Sequence, residues 1–367
     1  MRHLVNSVLR VKDGLDMASV NGLKPEAPRE RLRMRPRLCA LFLTLAILAI
    51  ARPCASAETP SEAMPDAALW RDSGEMGERN LLYGAGGEAH RPLGTMVFEE
   101  EDHAGTNPKF YVRDQEGTKW TAKLGVEARP ETAAAHLLWG AGYFTDEDYF
   151  VPDLTVEGLT PHLQRGQNLA GSHGVMRNVR LERHLKGQKK LGHWEWRHNP
   201  FTGTRRFNGL RVMMALMNSW DLKDENNAVY EDSAAGKPRR IYVVSDLGAS
   251  FGTTGYSWTQ AMAKGNLNSY SHSKFISKVH PEFVDFNSPT RPALIYFFHL
   301  PGLIHRMRMR WIGKHIPRED AKWMGSILAG LSSEQIQDAF RSAGYSPAEV
   351  EGFSRVVEQR IAELNKL

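Results

Sequence analysis

The sequence predicts an α+β chain, strands with one helix in its first part and mostly helices in its second. Three observations carry this reading: two alternating runs broken by "DQEG", an alanine-rich stretch bounded by proline and glycine, and two long amphipathic runs at the C-terminal end. At 367 residues the chain is long enough to bury a substantial core.

The front of the chain is read first as export machinery. "MRPRLCALFLTLAILAIARPCASAETP" has a basic start, an apolar stretch from Leu38 to Ile50 and Ala55-Ser56-Ala57 as a small-residue cleavage site. The apolar stretch is shorter than the roughly 20 residues of a spanning helix, so residues 1–57 read as an export signal rather than an anchor. The residues before Met34 are polar, Arg-rich and unpatterned, and Met34 reads as a possible true start. An exported, periplasmic or extracellular protein is expected, held on a membrane only if 38–50 is retained.

Removing this segment changes the composition. Residues 1–57 hold ten of the 47 Lys and Arg but only four of the 42 Asp and Glu, so the rest of the chain is close to neutral and net charge gives no support to nucleic-acid binding. Both cysteines, Cys39 and Cys54, fall in the same segment, which excludes a thiol nucleophile, a Cys-held metal and an internal disulfide from the remainder.

Residues 58–95, rich in Gly, Ala, Pro and Glu, read as a mobile lead-in. Alternation at Lys109 to Arg113 and Lys119 to Lys123 around Gly117 predicts a hairpin. "RPETAAAHLLWGAGY" predicts a helix with Pro130 at a first helical position and Gly140 and Gly142 at its end. "GVMRNVRLER" reads as a strand or a linker to a second region. "RFNGLRVMMALMNSW" places Leu210, Met213, Met214 and Met217 on one helical face and breaks before Asp221. "AVYED" and "RRIYVVSDLG" predict a second hairpin. From about Phe283 the chain reads as helical, and Ser346-Pro347-x-Glu349 is a capping box opening the last helix.

Four separated pieces bear chemistry. "WDLKDEN" sets Asp221 five residues before Asn226 on a loop between helix and strand. Phosphoryl transfer needs such a pair, an acid to orient a hydroxyl and accept its proton and an amide oxygen to hold magnesium. "VVSDLG" sets Asp246 at the end of an apolar strand, where a carboxylate can hold magnesium against two phosphates. Lys123 ends an alternating strand, and Glu131 in the first turn of the next helix is its anchor, with Glu127 a competing partner.

These pieces resemble the protein-kinase-like fold. "DLKDEN" is similar to the kinase catalytic-loop run, "SDLG" to the magnesium-binding triplet with Leu247 in place of phenylalanine, and the plan from "GTNPKF" onward to the atypical branch of HipA-like, phosphatidylinositol and secretory-pathway kinases. The resemblance implies a small strand-rich N-lobe over 96–175 and a larger helical C-lobe over 176–367. It also implies ATP and Mg2+ as cofactors, Asp221 as catalytic base, Lys123 as phosphate-pairing lysine with Glu131, and Asp246 and Asn226 as metal ligands. Gly105 and Asn107 in "HAGTNPKF" stand where a glycine-rich loop would cover the phosphates. The pattern departs from ordinary kinases in Ser219-Trp220, which replaces His-Arg, and in the lack of an Ala-Pro-Glu after Asp246.

Other features read as structure. His193 and His198 in "HWEWRH" have the wrong spacing for a zinc pair on one helix face. Trp194, Trp196, Trp220 and Trp258 are expected in the core, and Arg306, Arg308 and Arg310 on a solvated helix face. The expected function is transfer of a phosphoryl group to a hydroxyl on a protein, lipid or glycan. Its rival is an inactive kinase-fold binding module of the cell envelope.

Overall fold

The computed structural model describes residues 67–72, 74, 76–103, 107–160, 162–171, 174–232, 238–253, 264–287 and 309–367. The export signal, Gly105, Trp258, Arg306 and Arg308 lie outside the described residues.

After a short strand β1 (Ala67–Ala68), the chain forms β2 (Met96–Asp102), β3 (Lys109–Arg113), β4 (Lys119–Leu124), helix α1 (Ala128–Gly140), β5 (Asp148–Glu157) and β6 (Val175–Arg183). Strands β2, β3, β4, β6 and β5 close in that order into a barrel, antiparallel except where β2 meets β5. The hairpin over Gly117 forms as expected, with Gly117 at φ 78° where an L side chain would be strained. Alternate residues Phe110, Val112, Trp120, Ala122, Leu124, Val179 and Leu181 fill the barrel, while the intervening residues face outward.

The second part runs through β7 (Gln188–Gly192), α2 (Arg205–Leu216), β8 (Asn227–Asp232), β9 (Arg239–Val244), α3 (Leu267–Ser271), β10 (Ile276–Val279), β11 (Phe283–Phe286), β12 (Ile316–Pro317), α4 (Arg318–Leu328), α5 (Ser333–Arg341) and α6 (Pro347–Asn365). The sheet β1-β9-β8-β7 carries the expected β8–β9 hairpin, and β10-β11-β12 form a second sheet. Helix α2 is buried nearly all round, and α4, α5 and α6 close the core around Phe251, Phe340 and Phe353. The α6 capping box joins Ser346 and Glu349 as expected.

Three expectations are corrected. Residues 67–95 are not a mobile lead-in: β1 pairs in parallel with β9, Leu69 and Leu81 are buried, and the Trp70 indole donates to the Ala141 carbonyl at 2.8 Å. The boundary placed after residue 175 cuts β6, whose pairing with both β4 and β5 carries the barrel on to Arg183. The region from Phe283 is not wholly helical, since β11 and β12 lie in it, and the second part as a whole is mixed α and β.

Two features set the direction in which the chain leaves α2. Asn218 takes φ 53°, its N–H donates to Ala215 O and that of Ser219 to Met214 O, the paired bonds of a left-handed helix stop in which Asn substitutes for the usual Gly. The guanidinium of Arg360, on α6 and 2% exposed, donates to Leu216 O at 2.7 Å, Asn218 Oδ1 at 2.9 Å and Ser273 Oγ at 2.7 Å. Its charge rests on the carbonyl end of α2. Arg360→Met strands these acceptors in the core, so urea denaturation is expected to show a loss of about 2–3 kcal/mol, against under about 0.5 kcal/mol for the exposed Arg355→Met.

Candidate active site

Strand phase decides where Lys123 goes. Trp120, Ala122 and Leu124 point into the barrel, so Lys123 points outward, under α1, where its side chain is 5% exposed. A buried ammonium needs anionic partners, and it has three: Glu127 Oε2 at 2.8 Å, Glu131 Oε2 at 2.9 Å and Asp246 Oδ1 at 2.6 Å. Burial works against the charge of Lys123, but Glu131, Asp246 and Glu127 outweigh it and hold the lysine protonated well above its usual range.

Both glutamates offered by the sequence are therefore partners. Helix α1 begins at Ala128, earlier than expected, with Pro130 still inside the first turn, where a missing N–H costs nothing. This start puts Glu127 at the cap and Glu131 one turn on, on one helix side, both in contact with Lys123 of β4. Glu127 also receives the amide of Asn107, from the β2–β3 connection, and the ammonium of Lys264. Gly248 packs beneath it, where a Cβ would stand 2.6 Å from Glu127 Cβ. Burial opposes ionisation of Glu127, yet Lys123 and Lys264 hold its carboxyl down to about 2. Glu131 lies deeper, and burial pushes its carboxyl up to about 7 against the pull of Arg180 and Lys123.

Across the cleft stand the loop residues delivered by α2 and the β8–β9 hairpin. Asp221 pairs with Lys223 at 2.9 Å, and Asn226 Nδ2 donates to the Asp221 carbonyl at 2.7 Å. That bond leaves Asn226 Oδ1 without a partner among the described residues. The Ser245 N–H donates to Asn226 O at 3.0 Å, tying this loop to the strand end that carries Asp246. Asp246 adopts φ 53°, a left-handed conformation uncommon for a side-chain-bearing residue, and its carboxylate is 45% exposed. Asn107, Lys123, Glu127, Glu131, Asp221, Asn226 and Asp246 all line one cleft of about 730 Å³.

Of the candidate site residues read from the sequence, all but Gly105, which lies outside the described residues, line this cleft. Asn107 faces the cleft, but its amide is engaged by Glu127. Among the described residues the acidic trio Glu127, Glu131 and Asp246 surrounds the ammonium of Lys123, so that cation fills the centre of the group. Trp194 and Trp196 are core residues in contact with each other, and the exposed His198 pairs with Glu195. Sequence reasoning missed Lys264, Gly248 and Arg180. Gly248 was visible as the glycine of "SDLG", but Lys264 and Arg180 carry no local signal.

A lysine on the third barrel strand, a glutamate on the helix after it, a loop acid with an amide five residues on, and a strand-end acid meeting the lysine stand in the arrangement that the sequence resemblance to the protein-kinase-like fold implies. No protein-family profile and no curated protein matches the chain. Among solved structures it is similar to the proinflammatory kinase CtkA of Helicobacter pylori, at TM-score 0.44 and 10% identity, over 74% of this chain and 97% of that one. It is also similar to the Rio2 kinase of Chaetomium thermophilum, determined as an ADP/Mg2+-phosphoaspartate complex, at TM-score 0.32 and 8% identity, over 75% of this chain and 74% of that one.

The depressed carboxyl of Glu127 predicts an acid-labile contact. Because its folded value lies below the unfolded one near 4.5, its contribution is complete above that pH and is lost as pH falls toward 2. Thermal unfolding across this window should show wild type ahead of Glu127→Gln by about 3 kcal/mol at pH 6, with the gap closing toward pH 2.

Proposed function

We propose that the protein transfers a phosphoryl group from a nucleoside triphosphate, ATP with magnesium, to a hydroxyl of a protein, lipid or glycan outside the cytoplasm. The observation that carries this reading is the Lys123 ammonium, which joins Glu131 of α1 to Asp246 in the cleft that also holds Asp221 and Asn226.

Asp221 accepts a hydrogen bond from the acceptor hydroxyl and aims its oxygen at the terminal phosphorus. As the new O–P bond forms, the bond from that phosphorus to the bridging oxygen breaks, the nucleoside diphosphate leaves and the hydroxyl proton passes to the Asp221 carboxylate. Lys123, held by Glu131 and Glu127, pairs the phosphates, and Lys223 adds positive charge beside Asp221. The oxygens of Asp246 and Asn226 are hard donors suited to magnesium, which when bound neutralises phosphate charge. The work of the site is positioning and charge neutralisation, so rigid placement of these groups is its main contribution.

Export is proposed on the strength of residues 1–57 alone. No helix among the described residues is long and apolar enough to cross a membrane.

Calorimetry with ATP, with and without magnesium, tests the assignment when read beside ATP turnover. Asp246→Ala is expected to weaken magnesium-dependent binding at least about 100-fold, whereas Asp221→Asn should bind as wild type but lose about 10²–10⁴ in turnover. An Asp246→Ala protein working at full rate would sink the proposal. A folded wild type that binds no nucleotide would favour an envelope binding module.

A further inference from the structure

In the β4–β6 register, Lys123 stands directly opposite Arg180. Directly opposed residues of an antiparallel pair share a face, so the two cations lie side by side on the outer surface of the barrel, both 5% exposed. Like charges in that position destabilise a sheet unless something lies between them. Glu131 fills that place, with its Oε2 at 2.9 Å from Lys123 Nζ and 3.5 Å from Arg180 Nε.

The other edge of the guanidinium is anchored. Arg180 Nη1 meets Asp148 Oδ1 at 2.5 Å and Glu182 Oε2 at 3.0 Å, and these two acids face each other across β5 and β6. A planar fork held by two strands has little freedom left to turn. The Nε of Arg180 makes no hydrogen bond and stands 3.5 Å from Glu131 Oε2, so the contact on this side is an ion pair with a helix residue of the cleft.

We infer that Arg180 is a positioning residue, which holds Glu131 against Lys123 and so locks α1 to the phosphate-pairing lysine from the barrel side. This inference rests on the phosphoryl-transfer reading of the cleft. With two buried cations on one carboxylate, swinging Glu131 away from Lys123 breaks a second ion pair as well as the first, and the lysine is oriented before any nucleotide arrives.

The test compares affinities of the full chain for Mg-ATP and for adenosine, by calorimetry, in wild type, Arg180→Lys and the charge-compensated pair Arg180→Met with Asp148→Asn. If Arg180 acts through Glu131 on Lys123, the pair loses about tenfold in Mg-ATP affinity and Arg180→Lys loses a few-fold, while adenosine, which has no phosphate for Lys123, binds unchanged. In a Glu131→Gln background both losses vanish. Equal losses for ATP and adenosine, losses that persist in Glu131→Gln, or a folded pair that binds ATP like wild type would each overturn the inference. Should the compensated pair not fold, Arg180→Lys measured with and without Glu131→Gln decides. A wild type that binds no Mg-ATP removes the phosphoryl-transfer reading itself, whereas wild-type binding with an unaffected Arg180 series removes only the role of Arg180.

Discussion

A lysine ammonium taken out of water is the constraint around which the cleft is arranged. Withdrawing such a charge into the protein costs several kcal/mol unless oppositely charged groups replace its hydration. Lys123 is given three, from the cap of α1, from its first turn and from the strand-end turn of the second part. Each carboxylate then becomes a charge to be matched in turn. Glu127 draws in Lys264 and Asn107, and Glu131 draws in Arg180, which is itself shared with Asp148 and Glu182. The buried ammonium of Lys123 is thus the centre of a network that spans β4, β5, β6, α1 and the segments either side of the turn at Asp246.

The second part contributes precision by backbone means. The left-handed stop at Asn218 and the Arg360 guanidinium fix the exit of the chain from α2, and Asn226 clips the loop back to the carbonyl of Asp221. Asp246 sits in a conformation that costs on the order of 1–3 kcal/mol and persists because its surroundings hold it. Gly248 is the small residue that lets Glu127 lie against the same turn. Rigid placement of this kind is what a site that works by positioning requires, because little reorganisation is left for the moment of reaction.

Local signals were legible because they act over a few residues. The Gly117 hairpin, the α1 stretch and the Ser346 capping box each depend on neighbours within about one turn of chain, and each forms, α1 starting two residues earlier than read. The misreadings share a cause. The segment after residue 66 looked loose because the strand pairing of β1 comes from β9, far along the chain; Phe283–Phe286 pairs with Ile276–Val279 just upstream and with the distant Ile316–Pro317, and only the second of these lies outside a local window. Strand content set by distant pairing carries weak local information.

The residue types and their order along the chain were determined by the sequence: a strand lysine, helix glutamates, a loop acid with its amide, and a strand-end acid. Their alternation and capping also settled which secondary structures bear them. Only the tertiary structure decided that Glu127 and Glu131 share Lys123, that Lys264 joins from the other side and that Arg180 stands behind Glu131. Ionic attraction depends on distance through space in a medium of low dielectric, and chain spacing does not encode that distance once strands from different parts of the sequence lie side by side.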